Sequence, residues 1–325
     1  MKRGLRGLAC AALLSGAGIG AAQAQSDYPS HPVRIIVPFA PGGVVDVMAR
    51  LLSKKLTEET GKAFYLDNVA GAGGNIGSRT AASAPKDGYT LLVTSSSFVV
   101  NPSLHAKVPY DPIKDFSPIT IAAASPNILV VNPNLPVQSV QALIADMRKS
   151  PGKYSFASAG IGTTPHLSGE LFKQSVNVDI VHAPFTGAGP ALQSTIGGHT
   201  PLAFSGLPPA VSMVKSGQLR ALAVTSAKRQ EALPDVPTMA EQGLQGQEAE
   251  TLIFVMAPSG TPPAIVEHIG DMLRKILKMP DVTAQFDSLG FSAMGTSSEA
   301  SAERVRQEIA TWAKVIAGAN LRQAE

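Results

Sequence analysis

Apolar residues along this chain come in two alternating patterns: short β-branched runs, and longer stretches in which they recur every three or four residues. The first run, residues 33–37, predicts a buried strand. The prolines and glycines of Pro38-Phe39-Ala40-Pro41-Gly42-Gly43 predict a loop, and residues 45–56 a helix. A second strand over 63–68 leads through the glycine-rich turn Gly71 to Gly77 into a helix over 78–84. A third strand, 89–94, runs into Ser95-Ser96-Ser97-Phe98, and Asn101-Pro102 reads as a short turn. Two short strands, 119–124 and 128–132, flank Ser125-Pro126-Asn127, and an amphipathic helix over 139–148 takes Ser139 as N-cap.

From there the alternation restarts. Strand 154–157 and loop 158–164 precede a helix over 165–175, with Thr164 as N-cap and Pro165 in its first turn. Strand 179–183, loop 184–189 and helix 190–196 repeat the unit, as do strand 201–204, loop 205–207 and helix 208–215. Strand 219–225, an irregular stretch over 227–246, strand 251–257 and helices over 264–278, 281–289 and 298–317 complete the order. Trp312 packs the last helix onto the body. Strands alternating with helices predict an α/β protein with largely parallel sheets. The restart near residue 125 and the extra strand near 250 insert a second lobe in the first: residues 25–124 plus 248–325 form lobe 1, and 125–247 form lobe 2. Such a crossing leaves a cleft between the lobes on which several strand-to-helix loops open.

The first 24 residues stand apart from this scheme. Lys2, Arg3 and Arg6 precede a short apolar core and the small-residue site Ala22-Gln23-Ala24, the pattern of a cleaved secretory signal peptide with Gln25 as the new N-terminus. Its apolar core is too short for a membrane span. Cleavage removes the only cysteine, Cys10, and leaves 24 basic against 24 acidic residues. A near-neutral chain carries no electrostatic footprint for nucleic acid or an anionic membrane surface, and a cysteine-free exported chain rests on its core, not on disulfides. The expected compartment is the periplasm.

Candidate chemistry is confined to loops. The turn after the first strand aims the free N–H groups and positive dipole end of the following helix at one point, a geometry that suits an anion. No GxxxxGK[ST] follows, so a carboxylate is at least as good a guest as a phosphate. The glycines of 71–77 miss the dinucleotide spacing and make a close-packed turn. Asp46 is expected to hold loop N–H groups, since beside a carboxylate guest it would repel it. His166 and Glu170 stand at i, i+4 on one helix with no third metal ligand nearby, and read as a surface or cleft-edge pair. His182 reads as a hydrogen-bonded structural residue, the lining of the cleft being its alternative. Ser96 and Ser97 lack the G-x-S-x-G elbow of a hydrolase.

An ordered set of motifs then resembles one family, the Bug (TctC-like) extracytoplasmic solute receptors of tripartite tricarboxylate transporters. It comprises Tyr28-Pro29, Pro38 to Gly43 with Asp46 and Ala49-Arg50, Asn68 with Gly71-Ala72-Gly73-Gly74, Asp87-Gly88-Tyr89-Thr90-Leu91-Leu92 and Asn101-Pro102-Ser103-Leu104. It continues with Gly162-Thr163-Thr164-Pro165-His166-Leu167, Pro184-Phe185-Thr186-Gly187, Leu233 to Thr238 with Glu241, and Ala257 to Pro262. The resemblance implies a two-lobed type II periplasmic-binding-protein fold with an interdomain ligand cleft. It also implies a small organic acid, a di- or tricarboxylate or an aromatic acid, whose carboxylate is held by the first loop. Carried over, it puts Phe39, Ala40, Gly42 and Gly43 at the anion with Ser96 and Ser97 on the same lobe. Thr163, Thr164, Phe185, Thr186, Gly187 and Ser205 face them from the other lobe. It implies no cofactor, metal or nucleic acid, a monomer, and as partner an inner-membrane permease of the tripartite type. A sensor kinase is the alternative partner, and an exported enzyme on the same fold is the reading of another class. Two departures stand out. Ser205-Gly206 lacks the acidic residue that members taking amino acids often carry after the matching strand, which disfavours an ammonium-bearing ligand. Thr251-Leu252-Ile253-Phe254 lacks a tryptophan common in that segment.

Overall fold

β1 (Val33–Val37) is buried nearly throughout, flanked by parallel neighbours β2 (Phe64–Asn68) and β3 (Thr90–Ser95). The structure, a computed structural model, describes residues 28–318 and 321–322; the basic and apolar leader over 1–24 lies outside them. Helix α1 (Val44–Thr60) buries Val45, Met48, Ala49, Leu52 and Leu56, the apolar stripe of the sequence. It stops where Gly61 turns left-handed and returns its N–H to Thr57 O. α2 (Asn75–Ala82) and α3 (Ser97–Leu104) follow β2 and β3. Asn101-Pro102 lies inside α3 instead of opening a turn. Pro102 offers no N–H to Phe98 O, and the Tyr110 hydroxyl donates to that carbonyl at 3.0 Å, so the helix carries its proline without an orphaned acceptor.

The two short strands expected around Ser125-Pro126-Asn127 are one strand, β4 (Phe116–Val131). From Phe116 to Pro126 it pairs antiparallel with β9 (Glu250–Pro258). From Asn127 onward it pairs antiparallel with β7 (Leu202–Gly206) and β8 (Arg220–Val224). Pro126 stands at the changeover of partners, where a missing backbone donor interrupts neither ladder. The outer part of the second half is parallel again, β5 (Ser155–Ser158) lying between β6 (Val181–Pro184) and β7. The strand order is β2-β1-β3-β9-β4-β7-β5-β6, with β8 and the unanticipated two-residue β10 (Ser292–Ala293) also on β4. The sheet is therefore mixed, parallel at both flanks and antiparallel in the middle, not largely parallel as expected. The cause is that β4 runs from one half into the other and pairs antiparallel with β9 in the first and with β7 and β8 in the second.

Each half has its own core. Ile35, Val37, Leu52, Ile253 and Val255 pack with Ile269 and Leu273 of α8 (Pro263–Ile276), while Leu129, Phe156, Phe172 and Phe204 centre the other half. In numbering used from here on, α4 is Val140–Lys149, α5 Thr164–Val176, α6 Ala188–Ile196, α7 Leu207–Lys215, α9 Pro280–Leu289 and α10 Ser298–Gly318. Ser139 caps α4 as expected, its Oγ accepting from Ala142 N. α5 starts one residue early, so its cap is Thr163 and not Thr164. Trp312 of α10 donates to Glu308 at 2.9 Å. It packs where two apolar clusters meet, one around Phe254 and Val305, the other formed by Val100, Leu104, Leu167 and Ile316. Among the described residues no helix is long and apolar enough to cross a membrane.

Candidate functional site

β1, β3, β5 and β7 run at their C-terminal ends toward the starts of α1, α3, α5 and α7, and β6 leads to the start of α6. Four of these helix starts meet around one cavity of about 30 Å³. Phe39, Gly43, Val44 and Val45 wall it from the first loop, Thr163, Thr164 and Pro165 from α5, Ala188 from α6 and Gly206 from α7. Ser95, Ala159 and Thr251 complete the lining. None of these side chains is charged. The N–H groups of Gly43, Val44 and Ala188 have no acceptor among the described residues, as first-turn donors of a helix do not unless something outside the helix supplies one. The Gly43 and Ala188 ends face each other, since a Cβ on Gly43 would stand 3.7 Å from Ala188 N. Converging N-termini supply positive potential without a cation, worth about 0.3–1 kcal/mol each toward an anion and up to ~2 when partly buried.

The first loop is held in shape from behind. Asp46 Oδ2 accepts Gly42 N–H at 2.9 Å and Arg50 Nε at 2.8 Å, and Asn68 Nδ2 bridges Asp46 Oδ1 and Phe39 O. Burial pushes the Asp46 carboxyl up, but the hydrogen bonds from Arg50, Gly42 and Asn68 outweigh it and hold the group below its ordinary value. Asp46 thus does the work read for it in the sequence. Gly42, at φ +84°, takes the left-handed turn that lets the loop double back.

The residues named from the sequence divide into three groups, with Ser205 apart from them. Phe39, Gly43, Thr163 and Thr164 line the cavity. Ala40 and Gly187 form its rim, Ala40 N–H donating across the gap to Thr186 O at 3.1 Å, while Phe185 and Thr186 line an outer groove beside Phe39. Gly42, Ser96 and Ser97 stand behind the wall: Gly42 is tied to Asp46, Ser96 Oγ accepts Leu252 N–H at 2.9 Å, and Ser97 Oγ meets Ser95 Oγ at 3.1 Å. The two threonine hydroxyls are also spent internally. Thr163 Oγ1 donates to Gly160 O at 2.7 Å, and Thr164 Oγ1 bonds Thr251 Oγ1. Ser205 Oγ is buried with no partner among the described residues, and Ser205 lines neither the cavity nor the groove. Val44, Val45, Ser95, Ala159, Pro165, Ala188, Gly206 and Thr251 were not foreseen. Ser95 and Gly206 end a strand and Ala159 directly follows one, the one signal that points to any of them.

A histidine pair joins the start of α5 to β6. The His166 and His182 rings sit 4.2 Å apart, His166 Nδ1 accepts Gly162 N–H at 3.3 Å, and Ser158 Oγ meets His182 Nε2 at 2.7 Å. Of the surface or cleft-edge pair expected, the surface reading fails, since His166 is 4% exposed; its Nε2 lies 4.0 Å from Glu170. Burial, with His105 adding to it, holds His166 down to about 4; burial, with His166 adding to it, holds His182 down to about 3. So weak a base does not activate the fully buried Ser158 as a nucleophile. Both rings fold in neutral and titrate near 6.5 when unfolded. Stability is therefore full above pH 6.5 and falls with pH down to about 4, on the order of 1 kcal/mol per pH unit for each ring. The urea midpoint is expected to drop between pH 7 and pH 5, and less in His166→Gln; equal midpoints would show that the rings are not held neutral. Among the described residues no group of three potential metal ligands is assembled.

Comparison with known proteins converges on one family. The family model described as tripartite tricarboxylate transporter family receptor matches residues 48–321. Protein BugT of Bordetella pertussis is 37% identical over 302 residues, 92% of this chain and 93% of its own. A UPF0065 protein from the tcbD-tcbE intergenic region of Pseudomonas sp. strain P51 is 38% identical over 91% of this chain and 88% of its own. Among solved structures, R. palustris Rpa4515 with adipate superposes at a TM-score of 0.88 with 36% identity, covering 90% of this chain and 99% of that one. The periplasmic binding protein BugD superposes at 0.88 with 32% identity over 91% and 100%. MatC of Rhodopseudomonas palustris with bound malate gives 0.84 with 29% identity over 89% and 100%.

Proposed function

The chain belongs to the tripartite tricarboxylate transporter receptor family, and from that premise we propose that it is an exported, non-enzymatic receptor that closes its two lobes on a small carboxylic acid. The observation that carries the reading is the uncharged cavity on which four helix N-termini converge, with main-chain donors free on both sides of the gap. A carboxylate there takes charge-assisted hydrogen bonds of about 1.5–3 kcal/mol each from N–H groups that have nothing else to bond. Adipate and malate in Rpa4515 and MatC are acids of the same chemistry.

The lobes we assign are residues 25–124 plus 248–325 and residues 125–247, after removal of a signal peptide over 1–24. The partner change in β4 between Pro126 and Asn127 and the start of β9 at Glu250 support those boundaries. The cavity is enclosed by elements of both lobes, so the guest enters an open form and the lobes close over it. The closed, loaded form is then what an inner-membrane permease of the tripartite type receives.

The test is a thermal-shift screen of residues 25–325 against mono-, di- and tricarboxylates and amino acids, with NMR of the acid afterwards. A cognate acid is expected to stabilise the fold by about 2.7 kcal/mol at one hundred times Kd and to be recovered unchanged. Consumption of the acid, or stabilisation by no carboxylate at all, would overturn the reading.

A further inference from the structure

The two lobes also meet away from the acid cavity. The turn Gly160 to Gly162 of the second lobe lies against Gly73, Asn101 and Leu104 of the first with no room for a side chain. A Cβ on Gly73 would clash with Ile161 O, and one on Gly162 would clash with Asn101 Oδ1 and stand 3.1 Å from Leu104 Cδ2. Next to this turn, Leu167 of α5 shares one apolar cluster with Val100 and Leu104 of α3 and Ile316 of α10, and Ile161 and Trp312 pack against it. α10 is a first-lobe helix that packs along α3 and β4, so in this cluster Leu167 crosses from one lobe to the other. Val100 and Leu104 are fully buried, Ile316 is 2% exposed and Leu167 5%. None of the four lines the acid cavity or the outer groove.

Resting on the two-lobe reading above, we infer that this contact holds the lobes together without a guest, so that Leu167 and Ile316 are positioning residues that set affinity from outside the cleft. The attraction involves no charge and no acid. Opening returns Leu167 and the surfaces facing it to water, and burial of one such side chain biases a two-state equilibrium about tenfold or more. The helix starts at Gly43 and Ala188 act in the other direction, since closure brings two positive ends together until an anion stands between them. The empty receptor therefore balances an apolar attraction against a dipolar repulsion, and its closed form is populated at about a tenth or more of the total. An arriving acid removes the repulsion and completes a closure that the apolar contact has already favoured. Loss of that contact weakens binding by no more than the factor by which the closed fraction falls.

Pulsed electron paramagnetic resonance reads this balance with no ligand added. Residues 25–325 contain no cysteine, so Arg79→Cys with Val181→Cys places one spin label on each lobe. Both positions are exposed, on α2 and β6, whose neighbouring residues Gly71 to Gly74 and Pro184 face each other across the outer groove. The protein is first unfolded in urea, dialysed and refolded, which strips any acid bound during expression. The short distance of the closed structure is expected alongside a longer one. Leu167→Ala and Ile316→Ala are each expected to lower the ratio of short to long about tenfold. Val176→Ala, in the second lobe's own core, is expected to lower the melting temperature and leave the ratio unchanged. Only the long distance in the otherwise unaltered protein, or a ratio that neither cluster substitution changes, would overturn the inference and leave the two-lobe reading standing. A ratio that Val176→Ala lowers equally would overturn it too, by reducing the effect to general stability. Only the short distance in every variant would mean that the lobes do not open, and would overturn both readings. If Ile316→Ala does not fold, Leu167→Ala decides.

Discussion

Gly43→Val is expected to abolish capture of the acid and to leave the fold in place. Gly43 caps α1 at φ −86° and ψ 172°, an extended conformation that valine adopts without strain. A Cβ there stands 3.7 Å from Ala188 and 3.8 Å from Ala40 O, ordinary contact distances. The two further methyl groups have only the cavity to enter, and about 30 Å³ does not hold both them and a carboxylate. They also cover the N–H groups of Val44 and Ala188, the donors the anion needs. Valine caps a helix worse than glycine does, so a stability loss of up to about 1 kcal/mol is expected. Affinity, by contrast, should fall at least a hundredfold, about 2.7 kcal/mol or more. Calorimetry with the cognate acid alongside urea unfolding separates the two effects. Unchanged affinity would remove the first loop from the site.

Gly189→Ala is expected to move stability and affinity in opposite directions. Gly189 lies in the first turns of α6, where alanine is preferred by about 0.5–1 kcal/mol on helix propensity alone. Yet its added Cβ would come within 2.7 Å of Pro41 O, a backbone atom of the first loop that cannot swing aside. That clash exists only while the rims touch. The open form is therefore stabilised and the closed form penalised, and about tenfold weaker binding with an unchanged or higher melting temperature without ligand is the expected pair of results. A fall in both would mean that the substitution damages α6 itself. Unchanged affinity would mean that the bound state does not bring Gly189 against Pro41.

Two elements escaped the sequence for the same reason: proline was read locally. Pro126 looks like the end of a strand, and Asn101-Pro102 like a turn, because a residue without an N–H breaks a ladder unless the fold has a place for it. In β4 that place is the handover from β9 to β7, and in α3 it is the Phe98 carbonyl taken by Tyr110. Both remedies come from partners distant in the chain. The mixed character of the sheet escaped with them, since it depends on β4 crossing from one half of the sheet to the other and finding antiparallel partners in both.

The site was half legible. The loop at Gly43 and the service of Asp46 behind it could be read because Pro, Gly and an early helical carboxylate have local conformational consequences. Ala188, Gly206, Ala159 and Val44 carry no chemistry of their own, and no inspection of residue types would select them. What they contribute is smallness and main-chain N–H groups at particular points in space.

The chain's own order of apolar and polar positions determined that strands and helices alternate, that the strand-to-helix turns carry the donors, and that no cation or catalytic base stands in the first loop. Those properties follow from neighbours within a few residues, where backbone sterics and helix ends act. Which turns meet, how little space they enclose and which donors stay unspent were decided only by the tertiary structure. Thr164 and Ala40 spend theirs on Thr251 and Thr186, distant in the chain, while Gly43 and Ala188 kept theirs. Hydrogen bonding is a matter of distance in space, and the chain brings residues 43 and 188 together only by folding.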